Sequence, residues 1–242
     1  MSIRCETHGD GTNLTATVSG RLTLTDVVSL RDSLLKCLAE QPDALLIDLA
    51  RLEVDQPLAL SVFTVVLRQA ARWPGTPVLL CGPTPATRRH LVIGAHQRLP
   101  LFAGIAEALA QVHNERITVP SLNEQLLPLS GAPRHARDVA TEACLRWDLP
   151  DLVGAASLIA NELVANVVDH AGTMMTLHLS LRARHLNIAV RDGSPALPVP
   201  PVDVNPDSLG GRGLLLINEL ASAWGCLPSA DGKVVWAAIR RP

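Results

Sequence analysis

PDLVGAASLIANELVANVVDHAG, from Pro150 to Gly172, is the stretch on which the reading of the fold turns. Leu152, Val153, Ala156, Ile159, Leu163, Val164, Val167 and Val168 recur at helical spacing and leave the segment apolar on most sides, and Pro150 suits a first helical turn. Against that background Glu162, Asn166 and Asp169 fall at i, i+4 and i+7, one polar stripe on a mostly buried helix. Read alone, the stripe is either a solvent-facing edge or one wall of a site. Asn is a poor residue for a helix interior, because its amide competes for backbone hydrogen bonds, so Asn166 asks for a reason beyond solubility.

Working outward, Pro133 to Trp147 reads as the preceding helix, while MMTLHLSLR (Met174 to Arg182) and HLNIAVRD (His185 to Asp192) read as following strands. The second strand runs into Asp192-Gly193-Ser194-Pro195. SPALPVPPVDVNPDSLGGRG (Ser194 to Gly213) is too rich in proline and glycine for regular structure, and long loops inside domains are often functional lids. Gly211-Arg212-Gly213-Leu214 then opens a helix expected from Gly213 to Trp224, and VVWAAI (Val234 to Ile239) is a closing strand. Taken singly, an Asp before a turn marks a turn, and two glycines at a helix start mark a tight connection.

The first half alternates differently. NLTATVSG (Asn13 to Gly20) reads as a strand, TDVVSLRDSLLKCLAE (Thr25 to Glu40) as a helix and ALLIDL (Ala44 to Leu49) as a buried strand. A helix follows from Pro57 to about Trp73, then the strand PVLLC (Pro77 to Cys81), then helical segments around Thr87 to Gly94 and Gly104 to Val112. Such alternation predicts a parallel or mixed sheet with crossover helices. The chain changes character at HNERITVP (His113 to Pro120), which sets expected domains of 1–113 and 114–242.

Composition narrows the function classes. A length of 242 residues suits two domains, and a net charge of −2 offers no field for a phosphate backbone, so direct nucleic-acid binding is not expected. Arg88, Arg89 and His90 read as a solvated helix face. Five cysteines, odd in number and scattered without a C-x-x-C pair, fit a reducing compartment. The N-terminus lacks the pattern of a signal peptide, and no apolar run is seen to approach the roughly 20 residues of a membrane helix, so the expectation is a soluble cytoplasmic protein without membrane contact. Walker A, H-R-D and D-F-G sequences are absent, which sets aside P-loop and eukaryotic kinase schemes.

The order of motifs is more specific than any one of them: E-x-x-x-N on a helix, two strands, D-G-S-P, a long loop, then G-x-G-L on a helix. NELVANVVDHAG, VRDGSPALP and GGRGLLLINELASAWG resemble the N box and two glycine boxes of the GHKL ATP-binding fold, in the anti-sigma-factor serine/threonine kinase branch. GKVVWAAI resembles that branch's closing strand. The resemblance implies an α/β class, an α+β sandwich of the GHKL or Bergerat type, with ATP and Mg²⁺ as cofactors. It implies that Asn166 holds Mg²⁺ through its side-chain carbonyl, suited to a hard cation that keeps waters and phosphate oxygens. Glu162 takes or positions the proton of an attacking hydroxyl, and Asp192 accepts the exocyclic amine of adenine. Gly211 and Gly213 bring backbone N–H groups to phosphates at a helix N-terminus, beside Arg212 and Leu214. The chain departs from the pattern at Ser194 and Ala196, which stand where the first glycine box usually has later glycines, and at Val234, where the closing strand often has a Thr that contacts the site. Ser194 is kept among the ATP-binding positions. His170 reads either as a structural histidine or as a phosphate neighbour.

LLIDLARLEVDQPLALSVFTVVLRQAARWPGTPVLLCGP in the first half resembles a STAS domain, the fold of anti-anti-sigma factors, as a mixed sheet with helices over roughly Met1 to Val112. In that family's antagonists an Asp-Ser at a helix N-terminus carries the phosphorylated serine. Here Asp55 is followed by Gln56 and Pro57, and an amide has no nucleophilic hydroxyl, so Gln56 is a substituted phosphoacceptor position. Together these resemblances imply a partner-switching regulator. It would be an anti-sigma factor and ATP-dependent serine/threonine protein kinase acting on a STAS-domain anti-anti-sigma protein and sequestering an RNA polymerase sigma factor. Its own STAS domain would not be phosphorylated, and would restrain the kinase domain or mediate a homodimer. The competing expectation is a nucleotide-binding interaction module that transfers nothing.

Overall fold

The structure is a computed structural model and describes residues 3–10, 12–93, 98–114, 119–198 and 212–241. The chain divides into two units, Met1–Ile117 and Thr118–Pro242.

Among the described residues the first unit holds one five-stranded sheet. Strands β1 (Arg4–Asp10) and β2 (Asn13–Leu22) pair antiparallel. Next come β3 (Leu45–Val54), β4 (Val78–Cys81) and β5 (Leu101–Phe102), each parallel to the strand before it, giving the order β1-β2-β3-β4-β5. Parallel neighbours need crossovers. These are α1 (Val27–Ala39), α2 (Ser61–Arg72) and α3 (Pro85–Leu91), and α4 (Ile105–Asn114) ends the unit. Helix α1 buries Leu30, Leu34 and Leu38, and α2 buries Val62, Phe63 and Val66, so both helices present one apolar face to the sheet. The mixed sheet with crossover helices is therefore present. Strands β1 and β5 were not foreseen, and β3 runs to Val54 instead of Leu49. Beyond Leu49 only Leu52 is buried, with Ala50, Arg51 and Glu53 exposed, and residues 51 to 54 pair with the end of β2, a continuation that a search for wholly apolar runs passes over.

The second unit is a helix layer on an antiparallel sheet. Its strands are β6 (Ser121–Leu126), β7 (Met175–Leu181), β8 (His185–Asp192), β9 (Ala223–Pro228) and β10 (Lys233–Arg240), in the order β6-β7-β8-β10-β9. Helices α5 (Ala132–Arg146) and α6 (Val153–Asn166) pack on each other and on the sheet face that carries Leu177, Leu179, Ile188, Val190, Val235 and Ala237. A 3₁₀ turn at Pro150–Leu152 leads into α6, and a π-helical turn at Val167–Ala171 follows it. Gly172 ends the run with φ of 61°, a left-handed conformation that glycine adopts without Cβ strain.

Two expectations are corrected here. Pro150–Ala171, at 22 residues and a mean hydropathy of 1.4, is long and apolar enough by composition to cross a membrane, contrary to the expectation that no run approaches that length. Its apolarity is used in the core, where Ala156, Ile159, Ala160, Leu163 and Val164 are buried. The last helix, α7 (Arg212–Leu220), does not continue to Trp224. Ser222 donates both its backbone N–H and its hydroxyl to the Ala238 carbonyl, at 2.8 Å each, which ties the chain to the sheet and starts β9. Trp224 in β9 still reaches back, its indole N–H donating to Asn218 Oδ1 at 3.1 Å.

Candidate functional site

Of the polar stripe expected at Glu162, Asn166 and Asp169, only Asn166 joins the wall of a cavity. Leu163, Asn166, Val167 and His170, spaced i, i+3, i+4 and i+7, line a cavity of about 310 Å³ in the second unit. Opposite them stand Val190 and Asp192 from β8, Ser194 and Leu197 after it, Gly213 and Leu214 at the start of α7, and Lys233 and Val235 from β10. The π-helical turn at the end of α6 is a feature frequent at functional sites, and two of its residues, Val167 and His170, contribute to the wall. Apolar walls with a few convergent polar groups, at this volume, are the ordinary form of a small-molecule site.

The sequence-predicted residues fall out as follows. Asn166, Asp192, Ser194, Gly213 and Leu214 line this one cavity. Glu162 does not line it. Its carboxylate lies instead against Gly213, where an added Cβ would overlap Oε2, and Oε1 accepts from the Asn161 amide at 2.9 Å. A side chain at 213 would therefore require the Glu162 carboxylate to move aside. Asp169 is exposed and outside the cavity, while His170 is exposed at its edge. Gly211 and the side chain of Arg212 lie outside the described residues, as does most of the loop expected to be a lid. Val234 is buried but does not line the cavity, because strand alternation turns Lys233 and Val235 toward it.

Asp192 is the most constrained of these groups. It is 2% exposed at the end of β8, and its Oδ1 accepts the Ser194 N–H at 2.8 Å, closing the D-G-S turn on itself. The same oxygen takes the ammonium of Lys233 at 2.9 Å, a buried ion pair. Its other oxygen, Oδ2, is buried and has no hydrogen-bond partner. A buried acceptor left unpaired costs free energy unless something fills it, so this oxygen fits a donor carried by a bound molecule. The backbone behind the carboxylate is closely packed: a Cβ at Gly232, in the turn before β10, would overlap the Asp192 carbonyl oxygen and the backbone of Gly193. Asn166 is half-buried, and its amide makes no hydrogen bond among the described residues. No group of three or more His, Cys, Asp or Glu side chains suited to a metal occurs among the described residues, so a Mg²⁺ here would draw most of its ligands from phosphates and water.

Lys233 was missed in the sequence. Its signal was present: a lysine opening an otherwise apolar strand, in GKVVWAAI, has a buried neighbour to explain it, since charged residues are almost never buried unpaired.

The expected phosphoacceptor position lies in the first unit. Gln56 follows β3 and caps the 3₁₀ turn Pro57–Leu60 that leads into α2, so it does stand at a helix entrance. It is exposed, and its Oε1 accepts the Leu24 N–H at 2.7 Å. Leu24 and Leu58 beside it are exposed.

Comparison with known proteins agrees with this geometry in the second unit. Residues 130–239 match the model of the histidine kinase-like ATPase domain family. An anti-sigma factor antagonist from Mycobacterium paratuberculosis is 24% identical, with a TM-score of 0.41 over 46% of this chain and 95% of that one. The anti-sigma factor antagonist SpoIIAA in its unphosphorylated form is 14% identical, with a TM-score of 0.39 over 48% of this chain and 100% of that one. A structure of the RsbU and RsbW domains of a Mycobacterium tuberculosis protein is 20% identical, with a TM-score of 0.35 over 52% of this chain and 34% of that one. No match was found among curated protein sequences. The α/β class is as expected, and the second unit carries the match to the histidine kinase-like ATPase domain.

Proposed function

From a histidine kinase-like ATPase domain at residues 130–239, we propose that the chain is a cytoplasmic partner-switching regulator. Its second unit binds Mg²⁺-ATP and acts as an anti-sigma-factor serine/threonine protein kinase. The observation that carries the nucleotide reading is the buried, unpaired Oδ2 of Asp192 in a cavity that also holds Asn166 and the glycine-led entrance of α7. In this reading Asp192 accepts the exocyclic amine of adenine between the side chains of Leu163, Val167, Val190 and Val235. The amide of Asn166 has the hard oxygen that Mg²⁺ requires. The N–H groups at the start of α7 face the phosphates.

Mg²⁺-bound ATP would supply the transferable phosphoryl group. The protein's part is to orient it and to draw a proton from an incoming hydroxyl. Glu162 is the residue proposed for that proton. It lies one turn before Asn166 and touches Gly213 at the mouth of α7, close to the cavity and outside its lining. The substrate is a separate STAS-domain antagonist, and the sequestered partner is an RNA polymerase sigma factor. The first unit, with Gln56 at the position of the phosphorylated serine, docks without being a substrate, and either restrains a kinase domain or pairs two chains.

A second reading has an observation in its favour. Glu162 Oε1 is held by Asn161 and Oε2 is pressed to Gly213, so the carboxylate is occupied locally, as it would be in a nucleotide-binding module that switches partners without transfer. Calorimetric titration with Mg²⁺-ATP tests the shared premise: absence of binding removes both readings. Incubation with labelled ATP and candidate STAS proteins then separates them. Label in a STAS serine supports the kinase, and binding with no label over many hours supports the module.

A further inference from the structure

The cavity contains a cation that nothing above uses. Lys233, the first residue of β10, is the direct cross-strand partner of Asp192, the last residue of β8. Its ammonium donates to Asp192 Oδ1 at 2.9 Å and to the Ser194 carbonyl at 3.1 Å. The lysine side chain is 10% exposed and the aspartate side chain 0%. An ammonium has three N–H donors and no acceptor. Two are accounted for, and the third has no partner among the described residues. On the aspartate, Oδ1 is saturated by the Lys233 ammonium and the Ser194 N–H, whereas Oδ2 is buried without a partner. The pair therefore presents one unfilled acceptor beside one unfilled donor, on residues that both line the cavity.

We propose that Lys233 and Asp192 read the base as a unit: the exocyclic amine of adenine donates to Asp192 Oδ2, and ring atom N1 accepts the third N–H of Lys233. This rests on the nucleotide-binding reading and adds a specificity-determining residue to it. The amidine edge of adenine carries one donor next to one acceptor, the complement of what the pair offers. The corresponding edge of guanine carries the reverse, a carbonyl acceptor at C6 next to an N1–H donor, so acceptor meets Asp192 Oδ2 and donor meets the Lys233 ammonium, and both are buried unpaired, which is the costly case. Gly232 fixes the arrangement, since the turn before Lys233 lies against the backbone of Asp192 and Gly193 at a distance that leaves no room for a Cβ. The plain alternative is that the pair only ties β8 to β10, in which case N1 of the base is not read at all.

The two are separated by titrating the full chain, with Mg²⁺ present, against ATP, the 1-deaza analogue in which N1 is a C–H, and GTP. Loss of one hydrogen bond to a charged group weakens binding by about tenfold to a hundredfold, so the 1-deaza analogue is expected to bind that much more weakly than ATP, and GTP at least as weakly. Lys233→Met, which removes the donor, is expected to bind ATP and the 1-deaza analogue alike. Equal affinities of the natural chain for ATP and the 1-deaza analogue overturn the role of Lys233 while leaving nucleotide binding in place. Failure of ATP itself to bind overturns both. If Lys233→Met does not fold, the comparison of the two nucleotides on the natural chain still decides.

Discussion

Two amides, Gln56 in the first unit and Asn166 in the second, stand at helix ends where the family resemblances place polar chemistry, and they end in opposite circumstances. Gln56 is exposed and its Oε1 accepts a backbone N–H from Leu24 at 2.7 Å, so its oxygen is satisfied by the chain. Asn166 is half-buried at the cavity and makes no side-chain hydrogen bond among the described residues, near a buried aspartate whose Oδ2 has no partner. Protein interiors rarely leave such groups unmet. The contrast suggests that the first unit offers a finished surface and the second an unfinished site, and it can be broken at either end.

The largest expected effect is on transfer. Glu162→Gln should keep Mg²⁺-ATP affinity while lowering phosphoryl transfer by about 10²- to 10⁴-fold, the reach of general base catalysis. Single-turnover assays with labelled ATP read this, and an unchanged rate removes Glu162 from the mechanism. Next, Asp192→Asn should cost about 1–3 kcal/mol of adenine nucleotide affinity, because a buried group is then mispaired. If calorimetry shows ATP and GTP bound as before, the aspartate does not read the base. Asn166→Ala should weaken Mg²⁺-ATP by about tenfold more than metal-free ATP, as expected for a lost ligand, and equal losses argue against a metal contact. The smallest effect belongs to the finished surface. Gln56→Ala should cost the first unit about 0.5–1 kcal/mol in urea unfolding, one hydrogen bond's worth, and leave nucleotide affinity alone. A nucleotide effect from that substitution would mean that the two regions are coupled.

Much of this was legible in the sequence, for reasons that can be traced to residues. The helix Pro150–Ala171 is marked by apolar spacing and a proline at its first turn, and Asn166 by being a poor interior residue; both signals are local. The crossover helices of the first unit follow from alternation of apolar strands with amphipathic segments. What escaped was set by pairing across the chain. Strand β9 exists because Ser222 is bonded to Ala238, sixteen residues on, and an apolar run after a helix gives no sign of that. The last turns of β3 look polar in sequence and are strand because β2 lies beside them.

The sequence by itself determined the order of the boxes, the α/β class and the residue types able to serve a nucleotide, since those depend on periodicity and on chemistry that each residue carries with it. The tertiary structure alone decided that Asn166, Asp192, Gly213 and Lys233 share one cavity, that Glu162 stands beside it against Gly213, and that Asp192 keeps one oxygen free. The register that sets Lys233 opposite Asp192 joins residues 41 apart in the chain, and no local pattern encodes which oxygen a buried ammonium will take.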